Sequence, residues 1–286
     1  MAKLRPFYED VQAHYDLSND FYRLFLDPTM TYSCAYFQRD DMTLEEAQVA
    51  KVDLSLDKCD LRPGMRLLDV GCGWGATALR AAEKYGAKVI GLTLSRNQHA
   101  LALERAGENL NVEFRLQGWE DFEEPVDRIV SIGALEHFRA ERYELFFKRC
   151  HEILPPDGKM MIHSIVHGTE ETLAPGESAL DEPFLDYMRF VKKLIFPGGQ
   201  VPPRETIINM ARGQKFEITQ LQSLQLHYAR SLDIWAKNLQ AAKDKAIEMT
   251  SETVYENYMR YLTESAHHFR VGHIDVVQFS MQKGST

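Results

Sequence analysis

Cysteine is scarce in this chain: four in 286 residues, at Cys34, Cys59, Cys72 and Cys150, with no C-x-x-C pair among them. That leaves no disulfide framework and no paired-thiolate metal site to build, so no metal is expected and the thiols read as the reduced cysteines of a cytoplasmic protein. Long hydrophobic runs are also missing. None approaches the roughly 18 residues that span a bilayer, and the start, Met1–Ala2–Lys3–Leu4–Arg5–Pro6, holds too few apolar residues for a signal peptide. An excess of positive charge is absent as well: 33 Lys and Arg against 42 Asp and Glu give a net charge of −9. Nucleic acid is therefore excluded as the main partner, although a local basic patch is not. No repeat or low-complexity tract interrupts the chain.

What is present, 44% hydrophobic and 26% charged residues, suits one globular domain over 1–286. Residues 1–60 have a helical pattern: Phe7–Tyr15, Asn19–Leu26 and a longer helix over Ala47–Cys59, opened by a Thr43/Glu46 capping box. Over 61–166 strands and helices alternate. Strands are expected at Arg66–Gly71, Lys88–Thr93, Val112–Gln117, Arg128–Ala134 and Lys159–Val166, and helices near Ala76–Lys84, Ser95–Glu108 and Glu141–Ile153. This predicts an α/β fold, a mostly parallel seven-stranded sheet with helices on both faces. Residues 167–215 break the alternation. They form an insert in which Phe184, Met188, Val191 and Ile195 recur at helical spacing. An insert after the fifth strand lies over the crevice at the carboxyl ends of the strands, so an apolar face there suggests an apolar substrate; a helix packed on the core would show the same spacing. Residues 216–286 complete the sheet, with strands Phe216–Leu224 and Asp275–Met281 around helices near Ser231–Met249 and Ser251–His268.

The first strand runs into Asp69–Val70–Gly71–Cys72–Gly73–Trp74–Gly75 and then a helix. Glycines at alternate positions let a ligand lie against the backbone, and the helix N-terminus behind offers unpaired N–H groups. Dinucleotides and S-adenosylmethionine (SAM) both use such a turn. Gly71, Gly73 and Ala76 fit the relaxed dinucleotide fingerprint, which also wants an acid roughly 20 residues on. The second strand instead ends in Thr93, and the acid, Asp69, precedes the glycines. SAM is favoured.

Several segments then carry a wider resemblance: Val11–Gln12–Ala13–His14–Tyr15–Asp16–Leu17–Ser18, Phe25–Leu26–Asp27–Pro28, Thr31–Tyr32–Ser33–Cys34, Asp41–Met42–Thr43–Leu44–Glu45–Glu46–Ala47–Gln48 and the glycine loop. So do Gly91–Leu92–Thr93–Leu94–Ser95–Arg96–Asn97–Gln98, Gly118–Trp119–Glu120, Glu136–His137–Phe138, Ile195–Phe196–Pro197–Gly198–Gly199 and His227–Tyr228–Ala229–Arg230. Over nearly its whole length the chain resembles the mycolic acid cyclopropane synthases, Rossmann-like class I SAM-dependent methyltransferases acting on double bonds of very long acyl chains.

The resemblance implies a SAM site in which Tyr32 and Ser33 meet the methionine end, and Asp69, Gly71, Cys72, Gly73, Trp74 and Gly75 lie beneath it. Thr93, Leu94 and Gln98 would take the ribose side, Trp119 and Glu120 the adenine, with Ile132 also in contact. Each has a plainer reading: Gln98 lies three residues after Ser95 and suits a capping box, Thr93 suits a strand end, and Trp119 a core. The resemblance further implies a bound bicarbonate (or carbonate) as the base that closes the ring, held by Glu136, His163 and Tyr228 with backbone N–H groups at Cys34 and Ser265. A phenol, a histidine and two N–H groups suit a planar oxyanion. A cap, a core histidine and a packing tyrosine are the plainer alternatives. Phe184, Met188, Val191 and Ile195 would line the acyl chain, which the family receives on an acidic acyl carrier protein.

Where the family usually has Leu-Thr-Gly-Cys, this chain has Leu262–Thr263–Glu264–Ser265. Ser265 suffices if the role is carried by the backbone. If a thiol or a left-handed glycine is needed, the cation would be diverted to a methyl-branched alkene or a hydroxylated product. Methylation of a small amine, and a silent SAM- or acyl-binding protein, are the competing functions.

Overall fold

The computed structural model describes Pro6 and residues 17–108, 111–178 and 181–284. The helix expected over Phe7–Tyr15 lies outside the described residues. Helix α1 covers Asn19–Arg23, capped by Ser18, and α2 covers Leu44–Lys58. The Thr43/Glu46 capping box forms in full, each side chain taking the other's backbone N–H. Strands β1 (Arg66–Val70), β2 (Lys88–Thr93), β3 (Val112–Leu116), β4 (Arg128–Ile132) and β5 (Lys159–His167) alternate with α3 (Ala76–Tyr85), α4 (Arg96–Ala106) and α5 (Tyr143–Ile153). Strands β6 (Phe216–Ser223) and β7 (Ile274–Lys283) follow.

The seven strands form one sheet in the order β3-β2-β1-β4-β5-β7-β6. The first five are parallel, and β7 runs antiparallel to both β5 and β6. Because β1 pairs with β2 on one side and β4 on the other, the direction of winding reverses between β1 and β4. The helices flanking that point diverge, and a crevice opens at the carboxyl ends of these strands. Central β4 is buried along nearly its full length, as a parallel strand covered on both faces must be.

The expected elements differ from the observed ones where backbone chemistry intervenes. Strand β1 stops at Val70 because Gly71 turns to φ 81°, and β4 stops at Ile132 because Gly133 turns to φ 65°. The insert holds α6 (Glu182–Phe190), which continues as a π-helical turn over Val191–Ile195. It also holds α7 (Arg204–Gly213), which the sequence reading left out. Pro202 and Pro203 keep the preceding chain extended, and α7 starts straight after them, burying Ile207, Ile208 and Ala211. The single helix expected near Ser231–Met249 is two, α8 (Gln225–Ala241) and α9 (Lys243–Met249), parted at Ala242. Helix α10 spans Glu252–Val271 and ends at Gly272 in the left-handed conformation. Among the described residues no helix is long and apolar enough to cross a membrane.

Candidate active site

The turn after β1 is tied down by the amides of Gly71 and Cys72, both of which donate to the Leu92 carbonyl at 2.9 Å. Its three glycines have different reasons to be there. A Cβ on Gly71 would lie 2.4 Å from that of Ala134, and one on Gly75 would lie 2.6 Å from the Phe114 ring, so both positions are fixed by packing. A Cβ on Gly73 would meet no atom of the described residues within 4 Å. Among them Gly73 faces open space.

That space is a cavity over the ends of β1, β2 and β4. Its wall includes Tyr32, Ser33, Asp69, Gly71, Cys72, Gly73, Trp74, Thr93, Leu94, Gln98, Trp119, Glu120 and Ile132. Of the residues expected at a cofactor, Gly75 alone is off this wall; it serves as the N-cap of α3 instead. Thr93 donates to Gln98 Oε1 at 2.9 Å, while the Gln98 amide is capped by Ser95 Oγ at 3.2 Å. Gln98 thus caps the helix with its backbone and faces the cavity with its side chain. Trp119 is likewise both wall and core, lying edge-on to Phe146 at 5.3 Å.

The charged groups fit a ligand rich in hydroxyl and amine donors. Asp69 is buried, its Oδ2 has no hydrogen-bond partner among the described residues, and burial pushes its pKa up to about 7. Glu120 is bonded through Oε1 to Arg142 at 3.0 Å, and its Oε2 has no partner among the described residues. Two buried carboxylate oxygens without donors among the described residues, together with an open glycine cradle, are what an adenosyl amino acid would complete.

Lys51 is a wall residue that the sequence reading missed. It is fully buried, donates to Ser33 Oγ at 2.8 Å, and has its pKa lowered to about 8 by burial. The signal was available: Gln48, Lys51, Ser55 and Lys58 are polar residues spaced by three and four along α2, one helical face. Gln48 and Lys51 hold the 31–33 segment, Gln48 through the Thr31 and Ser33 carbonyls at 3.1 and 2.8 Å.

A second cavity, about 630 Å³, opens beside the first. Its wall brings together Glu136, His163, Tyr228 and Ser265 from four distant segments, with Leu232, Phe269, Ile274 and Val276 making it largely apolar. Tyr32, Ser33, Gly133 and His137 belong to both walls, so the cavities meet. Glu136 Oε1 accepts from the Ile165 amide at 2.6 Å, Oε2 has no partner among the described residues, and burial raises its pKa to about 7. His163 Nε2 is also buried without a partner, and burial holds the ring neutral.

The expectations for the insert and for the Ser265 amide need correction. Of the insert residues, Met188 and Val191 lie on this wall. Phe184 and Ile195 do not: Phe184 is stacked on His273 at 4.7 Å, and Ile195 is buried at the end of the π-helical turn. Helix α6 and the turn that continues it meet the cavity through Leu185, Met188, Arg189 and Lys192, a face next to the one that carries Phe184. The π-turn breaks the regular spacing that would place Ile195 on the cavity face. Ser265 sits deep inside α10, where each N–H is taken by the carbonyl four residues back, so its amide is not free for an anion. Its hydroxyl is engaged instead, with the Tyr261 carbonyl at 2.5 Å and Tyr187 Oη at 2.6 Å. Cys34 is fully buried beside Ser33, with its thiol directed at the Ala35 carbonyl at 3.1 Å, a contact that leaves the role expected of its backbone N–H untouched. Glu264 has ordinary helical geometry and pairs with Arg260 at 3.0 Å, so no glycine is required there.

Comparison with known proteins agrees with this architecture. The model of the mycolic acid cyclopropane synthetase family matches residues 2–279. The chain belongs to that family. It is 54% identical over 284 residues to cyclopropane mycolic acid synthase 1 of Mycobacterium tuberculosis, covering 98% of this chain and 99% of that one. The structure of the cyclopropane synthase MmaA2 from the same organism superposes with a TM-score of 0.95 at 54% identity, covering 98% and 99% of the two chains. That of the mycolic acid cyclopropane synthase CmaA1, complexed with SAH and CTAB, gives 0.94 at 53% identity, again covering 98% and 99%. Like other members of the family, this chain is a SAM-dependent methyltransferase with the class I fold.

Proposed function

We propose that this protein transfers the methyl group of SAM to a double bond of a long-chain, mycolic-type acyl substrate and closes a cyclopropane ring. The observation that carries this reading is the shared wall: a cofactor cavity and an apolar cavity meet at Tyr32, Ser33, Gly133 and His137, beside Glu136 and His163. The names of the relatives, and the SAH and CTAB in one of them, point the same way.

SAM supplies an electrophilic methyl. An alkene is a weak nucleophile, so the protein must contribute position and dryness, and the buried walls of both cavities do so. The alkene π pair forms the new C–C bond, leaving a carbocation on the substrate. Tyr32, common to both walls, sits among Tyr22, Trp235 and Phe25 with ring centroids 5.4, 5.4 and 5.9 Å away. Each aromatic face within reach stabilises a cation by about 0.5–2 kcal/mol. Loss of one proton from the added methyl closes the ring, so the products are the cyclopropane, S-adenosylhomocysteine and a proton.

A bicarbonate or carbonate ion, held by Glu136, His163 and Tyr228, would supply the base. The electrostatics favour that reading. A fully ionised Glu136 would repel an anion, but burial keeps it partly protonated near neutral pH. Neutral His163 adds no competing charge. Arg189 and Lys192 also line the apolar cavity, and an acidic acyl carrier protein delivering the chain would meet them there.

Mass spectrometry of lipids from cells with and without the protein tests the whole reading. A gain of one CH₂ with loss of an alkene supports it. A gain of oxygen, a retained alkene carrying a methyl branch, or turnover only with amine acceptors would replace it.

A further inference from the structure

His163 on β5 faces Gln278 directly across the antiparallel ladder to β7. Gln278 is fully buried, with its amide nitrogen 3.3 Å from His163 Nδ1 and 3.0 Å from Ser55 Oγ. On its other side Oε1 accepts from Lys58 Nζ at 2.7 Å, and the same ammonium donates to Gln222 Oε1 at 2.6 Å. An ammonium has only donors, so Gln278 must turn its oxygen toward Lys58 and its NH₂ toward the histidine. Ser55 agrees with this orientation. Its hydroxyl donates to the Lys51 carbonyl at 2.8 Å, leaving it an acceptor toward Gln278.

An imidazole nitrogen that faces an N–H donor must offer its lone pair. In the neutral ring the proton then sits on the other nitrogen. For His163 that other nitrogen is Nε2, buried without a partner among the described residues, on a residue of the apolar cavity wall. We propose that Lys58 and Gln278 are positioning residues that lock His163 as the Nε2–H tautomer, so that it donates a hydrogen bond to an anion in that cavity and does not act as the base. The proposal rests on the anion reading given above and deepens it.

The charged groups packed around the ring come from α2. Lys51 and Lys58 both disfavour its protonation, so the choice between the two neutral tautomers is what the network decides. The stripe Gln48, Lys51, Ser55, Lys58 therefore serves both cavities: its first half holds the 31–33 segment, and its second half sets the histidine.

Nitrogen-15 NMR of histidine-labelled full-length protein, recorded with and without bicarbonate, tests this directly. In the wild type His163 should show a protonated Nε2 and an unprotonated Nδ1, and bicarbonate should shift the Nε2 resonance. Gln278→Glu places an acceptor at Nδ1, so the proton should move there, and ring formation should fall about ten- to a hundredfold, the loss of one charge-assisted contact, with SAM affinity unchanged. Lys58→Met, at a partly exposed position, removes the group that orients the amide; it should give a mixture of tautomers and a smaller loss. An unprotonated Nε2 in the wild type, or an unchanged tautomer in both folded variants, would overturn the lock. So would a tautomer that moves with no loss of rate. A locked Nε2–H whose resonance ignores bicarbonate supports the lock and overturns the anion reading instead.

Discussion

The two cavities share a wall but are built by opposite means. The cofactor cavity is mainly backbone and loop: β1 and its glycine turn supply Asp69 through Trp74 in one unbroken run, and the end of β2 with the residue after it adds Leu92, Thr93 and Leu94. The apolar cavity is side chains gathered from afar, with Glu136 after β4, His163 on β5, Tyr228 on α8 and Ser265 on α10. A backbone site tolerates many side chains but few changes of glycine. A side-chain site depends on each group separately. The difference predicts where single substitutions act and how strongly.

Gly73→Val should have the largest effect. A Cβ there would meet no atom of the described residues within 4 Å, and Gly73 lines the cofactor cavity at φ 53°. The left-handed backbone costs roughly 1–2 kcal/mol, a modest fall in melting temperature. SAM affinity measured by calorimetry should drop by more than about a hundredfold. Gly75→Val gives the contrast, because its Cβ would strike Phe114: stability should fall first and binding only with it. Equal thermal stability for the two variants would erase the distinction drawn between these glycines.

In the side-chain cavity, Tyr228→Phe and Glu136→Gln should each slow ring formation about ten- to a hundredfold, the loss of one charge-assisted contact, and leave SAM affinity nearly intact. Glu136 also makes a prediction about pH. Its pKa rises from the ordinary 4.5 to about 7 on folding, so between those values the native state binds the extra proton. Stability contributed by this group is therefore lost as pH rises through that window, at no more than about 1.4 kcal/mol per pH unit. Denaturant titrations of Glu136→Gln should lack this contribution, and identical pH slopes for variant and wild type would refute the assignment.

The same contrast explains what could be read from the sequence. The cofactor half was legible because its residues are neighbours in the chain: a strand, three glycines and a helix state their geometry locally. The members of the other half were legible only through family resemblance, since nothing local relates Glu136 to Tyr228. What failed was geometry imposed by tertiary packing. The rotation of α6 turned Phe184 toward His273, the π-turn took Ile195 away from the cavity, and the continuity of α10 took the Ser265 amide out of play. Lys51 and Gln278 escaped notice because a buried polar residue looks like any other until its partner strand or segment is known. The insert's contribution then narrows to Met188 and Val191. Met188→Asp should weaken acyl-substrate binding about tenfold, the lower end of the 1.5–3 kcal/mol for burying such a side chain, and SAM binding should not change. Unchanged acyl affinity with lowered stability would make Met188 a core residue as well.

The smallest effect is expected at Ser265, where the resemblance implies a cysteine. Proline is no test there, because it would break α10 whatever the residue does. The informative pair is Ser265→Ala and Ser265→Cys. The hydroxyl lies 2.5 Å from the Tyr261 carbonyl and 2.6 Å from Tyr187 Oη. Donating to the carbonyl leaves the serine oxygen as the acceptor for the Tyr187 phenol, which holds that ring on the cavity wall. Alanine removes the acceptor and leaves a buried phenol unpaired, at a cost of about 1–3 kcal/mol in stability, with a rate loss only as large as the movement of Tyr187. Cysteine keeps a weak acceptor at nearly the same place, so its stability and rate should stay within about threefold of wild type. Both variants should still convert the alkene to the cyclopropane. If alanine instead diverted the product to a methyl-branched or hydroxylated lipid, the Ser265 side chain would belong to the proton-removing machinery, and its role would not end at positioning Tyr187.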